Sequence, residues 1–231
     1  MPAVSDPTSL AALPLFENLP LEQLARLNDI LHATTVPAGT ALMTVEQPSE
    51  VAYLILTGTV KVHVEQTNGM DVVLAIRGPG ELVGEMSLVD SIGRSASVVT
   101  LEECSLLWID RVAFQTCLQT IPAMTYNLAR ILTRRLRHAS SQVQFLAARD
   151  VRGRVAWQLL SFAETYGQPV ADGGIVIRLR LTQSDLAGMV GASRERVNKA
   201  LRFYRQRGYL ALNDGFQITI LNQAALEQDC L

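Results

Sequence analysis

Residues 181–210 read LTQSDLAGMVGASRERVNKALRFYRQRGYL. Two helices are written here in succession. Thr182 followed by Asp185 has the form of a capping box, in which hydroxyl and carboxylate reciprocally satisfy free amides at a helix start. The short helix it opens ends near Gly191, and Ser193 supplies a second N-cap. From Arg194 to Arg207, six basic residues (Arg194, Arg196, Lys199, Arg202, Arg205, Arg207) stand against one acid, Glu195. Val197, Leu201 and Tyr204 recur at i, i+4 and i+7 on the other face. Helix, short glycine-containing turn and basic amphipathic helix make a helix-turn-helix. YLAL, the turn Asn213-Asp214-Gly215 and FQITIL add a β-hairpin, which gives the winged form.

Charge by itself predicts only attraction to phosphates. The first turn of the second helix offers more. Arg194 can bond guanine O6 and N7 bidentately, Glu195 can accept from cytosine N4, and Lys199 can reach a guanine. Residues 195 and 199 are one helical turn apart and share a face. Ser193 and Thr182 are expected to position phosphates.

Upstream, IVIRLRL alternates and reads as a strand, Gly167 to Gly174 as a loop, and Asp150 as the N-cap of a helix to about Thr165. Before that, Pro122 opens a long helix to about Ala148. Thr125, Ala129, Leu132, Leu136, Ala139, Val143 and Leu146 are spaced 4, 3, 4, 3, 4, 3, a heptad seam. Ile121, Leu128 and Ile131 lie off the seam. Two apolar faces on one helix need two partners: the chain's own β module and a second copy of the chain. A hinge is expected near Ala147–Asp150.

The front of the chain is different. Leu10 to Leu31 has helical periodicity through Leu13, Phe16, Leu19, Leu24, Leu27 and Leu31, with breaks at Pro14 and Pro20. Then AYLILTG, VKVHVEQ, VVLAIRG, SASVVTL and SLLWID follow as short β-rich runs, with Asn68-Gly69 a strong hairpin signal. Such runs predict a sandwich or barrel, and the whole chain an α+β fold. Composition agrees with separate modules. The net charge of −2 hides a split: residues 1–121 carry −9, residues 122–148 carry +4 and residues 149–231 carry +3. The expected domains are therefore 1–121, 122–148 and 149–231. Cys104, Cys117 and Cys230 are too few and too scattered for a disulfide framework or a zinc site. No apolar run approaches the ~18 residues of a membrane span. The opening MPAVSDPTSL lacks the pattern of a signal peptide. A cytoplasmic protein is expected. No GxSxG, HExxH or Walker A constellation is present, so no catalytic residue is assigned.

Gly80 to Ser97, GELVGEMSLVDSIGRSAS, sets Glu85 and Arg94 nine residues apart among small and apolar residues. Either they solvate a turn, or pair, or face one ligand from two sides. With the helix-turn-helix and the heptad helix, this stretch resembles the catabolite-activator and fumarate–nitrate-reductase-regulator superfamily of bacterial transcription factors, and within it the cyclic-AMP receptor proteins. The family pattern G-E, variable loop, R-S/T-A is met by Gly84-Glu85 and Arg94-Ser95-Ala96, and VGASRERVNKAL resembles the family's recognition helix. The resemblance runs from about Leu13 to Ile220.

The resemblance implies an N-terminal cyclic-nucleotide-binding β-roll (jelly-roll-like), a long dimerisation helix and a C-terminal winged helix-turn-helix. It implies a homodimeric transcriptional regulator controlled by cyclic AMP, an allosteric ligand bound through Gly84, Glu85, Met86, Ser87, Arg94, Ser95 and Ala96. Arg94 would neutralise the cyclic phosphate, Glu85 would accept from the ribose 2′-hydroxyl, and Gly84 would let the backbone approach. Where the family has a polar pair contacting adenine, this chain has Ala139 and Ser140. Ala139 cannot bond the adenine amino group; Ser140, from the opposite subunit, can. Near the first strands, Glu46-Gln47-Pro48 replaces the frequent E-G-D. Implied partners are double-stranded DNA with palindromic GTGA-like half-sites, a second copy of the chain and RNA polymerase, with no membrane. No metal, haem or iron–sulfur cluster is expected: the first cysteine is Cys104, and His32 and His63 read as structural. The competing expectation is a constitutive DNA-binding regulator whose pocket is degenerate or takes cyclic GMP or another ligand.

Overall fold

The computed structural model describes residues 6–45, 47–48, 50–65, 71–170, 173–212 and 217–230. The turns expected at Asn68-Gly69 and Asn213-Asp214-Gly215, and Glu46 of the Glu46-Gln47-Pro48 departure, lie outside the described residues. The chain packs as two compact units, residues 1–64 with 75–137 and residues 65–74 with 138–231.

In the first unit, the stretch expected to be helical is divided at its prolines. Pro7–Ala12 and Pro14–Phe16 are short 3-10 turns, and α1 (Leu21–Ile30) starts after Pro20. All six apolar positions of the pattern are buried. They join one core with Ala52, Leu54, Leu107, Ile109, Phe114, Met124 and Leu128.

Two antiparallel sheets follow. One has the order β1 (His32–Val36), β8 (Cys104–Asp110), β3 (Val51–Thr57), β6 (Leu82–Val83); the other has β2 (Ala41–Met43), β7 (Ser97–Thr100), β4 (Val60–Glu65), β5 (Asp71–Arg77). A second core cluster takes Ile55, Val83, Cys104 and Leu106 from the first sheet and Met43, Val60 and Val98 from the second. It is the apolar interior between the sheets, the arrangement of a sandwich or roll. Cys104 and Cys117 are buried, which raises both thiols above their usual range. His32 stacks on Trp108 with ring centroids 4.1 Å apart, and His63 is buried.

Helices α2 (Met86–Asp90) and α3 (Arg111–Thr120) were not foreseen. The signal for α3 was present: the Asp110 carboxylate accepts the Ala113 amide at 2.8 Å, an N-cap at the end of a strand. α4 (Pro122–Ala148) keeps its expected bounds. Its off-seam residues Ile121, Leu128 and Ile131 pack into the front core, and buried Asn127 donates to the Leu15 and Glu17 carbonyls at 3.2 and 2.8 Å. Of the heptad positions, Leu132 packs against the front core, whereas Leu136 is 69% exposed, Val143 65% and Leu146 41%.

In the second unit, α5 (Val151–Tyr166) starts where Asp150 accepts the Gly153 amide at 2.9 Å. The compact units divide at Arg137/His138, upstream of the Ala147–Asp150 link. The cause is visible: His138 and Phe145 stack on Trp157 at 5.1 and 4.8 Å, and Gln142 donates to the Met189 carbonyl. A small sheet has the order β11 (Leu210–Leu212), β12 (Ile218–Ile220), β10 (Ile175–Ile177), β9 (Gly167–Pro169). The segment expected as a loop therefore begins with a strand, because Gln168 pairs with Val176, and only three residues of IVIRLRL enter the ladder. α6 (Gln183–Val190) ends at Gly191 in the left-handed conformation, φ 59°. α7 (Arg194–Gln206) starts at Ser193, and α8 (Gln223–Asp229) follows the hairpin. Val197, Ala200, Leu201 and Tyr204 form the buried stripe of α7, and the Tyr204 hydroxyl donates to the Arg152 carbonyl at 2.9 Å.

The capping box at Thr182 is complete: its oxygen accepts the Asp185 amide at 3.1 Å, and Asp185 accepts the Thr182 amide at 3.1 Å. Thr182→Ala removes the first arm and should destabilise the rear unit by about 1 kcal/mol. Urea denaturation followed by Trp157 fluorescence in a Trp108→Phe background measures it.

Candidate functional site

Two constellations were expected: the first, Ser140 apart, lies in the first compact unit, and the second lies in the second unit. The first is built on the turn between β6 and β7. Gly84 has φ +84°, a conformation that costs glycine little. A side chain there would also collide: a Cβ would stand 2.7 Å from an Arg94 terminal nitrogen and 2.8 Å from the Met43 methyl. The close approach that demands glycine is thus made first by Arg94.

Arg94 is 6% exposed. Its Nη1 donates to the Gly84 carbonyl at 2.9 Å and to Ser87 Oγ at 3.1 Å; its Nη2 donates to the Val51 carbonyl at 2.7 Å. Its Nε is buried without a hydrogen-bond partner. Burial holds the guanidinium below the usual arginine range, an effect that Tyr53, Glu50 and Glu85 oppose and Arg111 reinforces. A buried cation with an orphaned donor lacks an acceptor, and an anionic oxygen is the acceptor that suits it best. A cyclic phosphodiester fits these residues.

Glu85 is 2% exposed, and its partner is not Arg94. Arg135 of α4 donates from Nη1 to Glu85 Oε1 at 2.6 Å and from Nη2 to the Leu82 carbonyl. Glu81 extends the array: it lies 4.0 Å from Arg135 and 3.0 Å from Arg77, and accepts the Gly78 amide at 3.0 Å. Burial lowers the Arg135 pKa; Glu85 and Glu81 counter this, while Arg77 adds to it. Arg135 is the site residue that sequence reading missed. Its signal was positional: Leu128, Ile131 and Arg135 are spaced 3 and 4, so Arg135 continues the stripe that faces the β module.

The remaining expected residues fall as follows. Ser87 is buried and orients Arg94, while its hydroxyl donates to the Gly84 carbonyl at 3.3 Å. Met86 is 52% exposed on the outer side of α2. Ser95 is exposed and Ala96 buried. Ser140, beside Ala139, is exposed on α4 in the second unit.

The second constellation is the outer face of α7. Arg194, Glu195 and Lys199 are all exposed there. Glu195, Asn198, Lys199, Arg202, Phe203 and Gln206 line one groove. Phe203 lies between two guanidinium groups, Arg152 at 4.8 Å and Arg207 at 4.5 Å, which hold positive charge beside the groove. Ser193 Oγ accepts the Arg196 amide at 3.3 Å and keeps its proton for an outside acceptor. Thr182 differs: its hydroxyl proton goes to Asp185 at 2.6 Å, so that hydroxyl has no proton left for a phosphate.

Residues 33–121 match the model of the cyclic nucleotide-binding domain, and residues 153–229 match that of the Crp-like helix-turn-helix domain. The sequence is 34% identical over 203 residues to a CRP-like cAMP-activated global transcriptional regulator of Mycobacterium tuberculosis, with 88% of this chain and 90% of the relative covered. This chain belongs to the Crp family of transcriptional regulators. A second Crp-family relative, the cyclic AMP receptor protein of Thermus thermophilus, is 31% identical over 93% of this chain and 95% of its own. Among solved structures of the family, the c-di-GMP responsive global regulator CLP of Xanthomonas campestris is similar, with 26% identity, a TM-score of 0.71, and 87% and 99% of the two chains covered. The cyclic nucleotide-binding match of this Crp-family chain contains the whole turn from Gly84 to Ala96. Arg135 falls between the two matched segments.

Arg135→Ala leaves the Glu85 carboxylate buried and unpaired, and should destabilise the front unit by about 3–5 kcal/mol at neutral pH. Adding Glu85→Gln should restore a large part of the loss. Chemical denaturation of both variants and the double variant measures the coupling.

Proposed function

We propose that this Crp-family regulator is a cytoplasmic homodimer whose binding to DNA is controlled by cyclic AMP held in the β-roll. The observation that carries the ligand is the buried Arg94, whose Nε lacks an acceptor while its other nitrogens are engaged. In this reading the phosphate takes the Arg94 Nε and the exposed Ser95 hydroxyl. The ribose 2′-hydroxyl donates to Glu85, which Arg135 already holds in place. Adenine meets Ser140 of the second copy. Relatives described as cAMP-activated support the choice of ligand.

The outward heptad seam supports the dimer. Leu136, Ala139 and Val143 are exposed and repeat at the spacing of a two-stranded coiled coil. In the proposed division of labour, residues 1–121 sense, 122–148 dimerise and 149–231 bind DNA. Ligand that favours one arrangement of the seam would set two recognition helices about 34 Å apart, one turn of DNA, to meet palindromic GTGA-like half-sites. The coupling is the ligand's differential affinity for two dimer states. Arg194, Glu195 and Lys199 would read bases, with Ser193 and the start of α6 against phosphates. RNA polymerase is the proposed further partner.

One observation favours a second reading of the ligand. Ala139 offers no hydrogen bond to an adenine amino group, and one structural relative is described as c-di-GMP responsive. A pocket suited to a guanine nucleotide, or a regulator that needs no ligand, would follow.

Calorimetric titration with cyclic AMP, cyclic GMP and cyclic di-GMP decides among these. The expected result is micromolar or tighter binding of cyclic AMP, lost in Arg94→Ala with folding checked by circular dichroism. Preference for a guanine nucleotide would select the second reading; no binding would select the constitutive regulator. Leu136→Glu should shift the protein from dimer to monomer in sedimentation analysis while each copy stays folded. Arg194→Ala should cost about 1–3 kcal/mol on the preferred DNA site and relax base preference there. Equal loss on all sequences would point to a phosphate contact.

A further inference from the structure

Tyr53 has no role in the reading given so far. It lies on β3 opposite Val83, the residue just before Gly84. Half-buried, it packs against the cluster that contains Met43, Ile55, Val83 and Val98, at the edge of the apolar interior between the two sheets. Two residues back along the same strand, Val51 gives its carbonyl to Arg94 at 2.7 Å. Two strand residues span about 7 Å, within the reach of a tyrosine side chain. Gly84 also abuts this point, since a Cβ there would stand 3.1 Å from the Val51 oxygen. Tyr53, Gly84 and Arg94 therefore converge on one corner of the β module.

Two donors at this corner are open to an incoming acceptor. The Arg94 Nε is buried without a partner. The Tyr53 ring is half-buried, and its hydroxyl makes no hydrogen bond to another described residue. A tyrosine with its ring packed and its hydroxyl free has the apolar body and polar tip that suit a ligand site. The two groups sense each other, because Arg94 is the charge that draws the phenol back toward ionisation while burial pushes it the other way, to a net rise. The phenol is thus protonated at neutral pH and can only donate to an anion.

We infer that Tyr53 is a further ligand-binding residue, whose hydroxyl donates to an exocyclic oxygen of the cyclic phosphate that Arg94 neutralises. The inference rests on the cyclic-nucleotide reading above. It gives the anion a neutral donor beside the guanidinium. It also ties the ligand to β3, a strand central to the front core.

The test compares the wild-type protein and Tyr53→Phe by calorimetry, using cyclic AMP and its Rp and Sp phosphorothioate analogues as probes. Phenylalanine keeps the ring and its packing. Loss of one hydrogen bond to an anion should weaken cyclic AMP binding about ten- to hundredfold. Sulfur at the oxygen facing Tyr53 should penalise the wild type more than the variant, so the ratio of affinities between the diastereomers should shrink in Tyr53→Phe. That ratio does not depend on the folded fraction and holds even if the variant melts lower. Unchanged cyclic AMP affinity, or an unchanged diastereomer ratio, overturns the inference. If the wild type binds none of the three probes, the cyclic-AMP reading itself fails and takes this inference with it.

Discussion

Glu85 is a carboxylate with almost no access to water, and the front unit is organised around its compensation. A charge of this kind costs several kcal/mol to bury, and only a close, well-oriented partner offsets it. Arg135 meets that demand from α4, some fifty positions away, and spends its second terminal nitrogen on the Leu82 carbonyl at the base of the same turn. The long helix is therefore tied to the turn that carries Gly84 and Arg94 by a charge pair as well as by Met124 and Leu128 in the core. Whatever engages Glu85 acts on the same carboxylate that anchors the long helix.

Local signals made much of the fold readable. Pro122, Asp150, Ser193 and the Thr182–Asp185 pair each mark a helix start by chemistry confined to three or four residues, and the structure places a helix at each. The central strands were readable from alternation. What escaped were elements defined by a distant partner. β9 is three residues, Gly-Gln-Pro, and is a strand only because β10 lies beside it. The last four residues of IVIRLRL alternate just as well, yet the paired register with β9 and β12 ends at Ile177. α3 was missed because its cap, Asp110, also ends a strand and reads as part of it.

The candidate site divides along the same line. Glu85 and Arg94 stood out as charges in an apolar run, but their bonding was not legible. The pairing that sequence proximity suggests is absent; Arg94 goes to main-chain carbonyls and Ser87, and Glu85 goes to Arg135. Arg135 looked like one of four equivalent arginines on a helix. Only three-dimensional packing distinguishes it from Arg134 and Arg137, which stay exposed. On α7 the reverse holds. Exposed side chains on a capped helix need no distant partner, so periodicity was enough to place Arg194, Glu195 and Lys199 on the outer face.

Arg94 is clamped by three acceptors that the fold itself supplies. A free arginine side chain loses up to about 2 kcal/mol of conformational freedom when immobilised. Here that loss is incurred during folding, so an arriving anion meets a receptor already in register. Encounter need not wait for a rotamer search at this residue, and differences between competing anions should show in how fast each leaves more than in how fast each arrives.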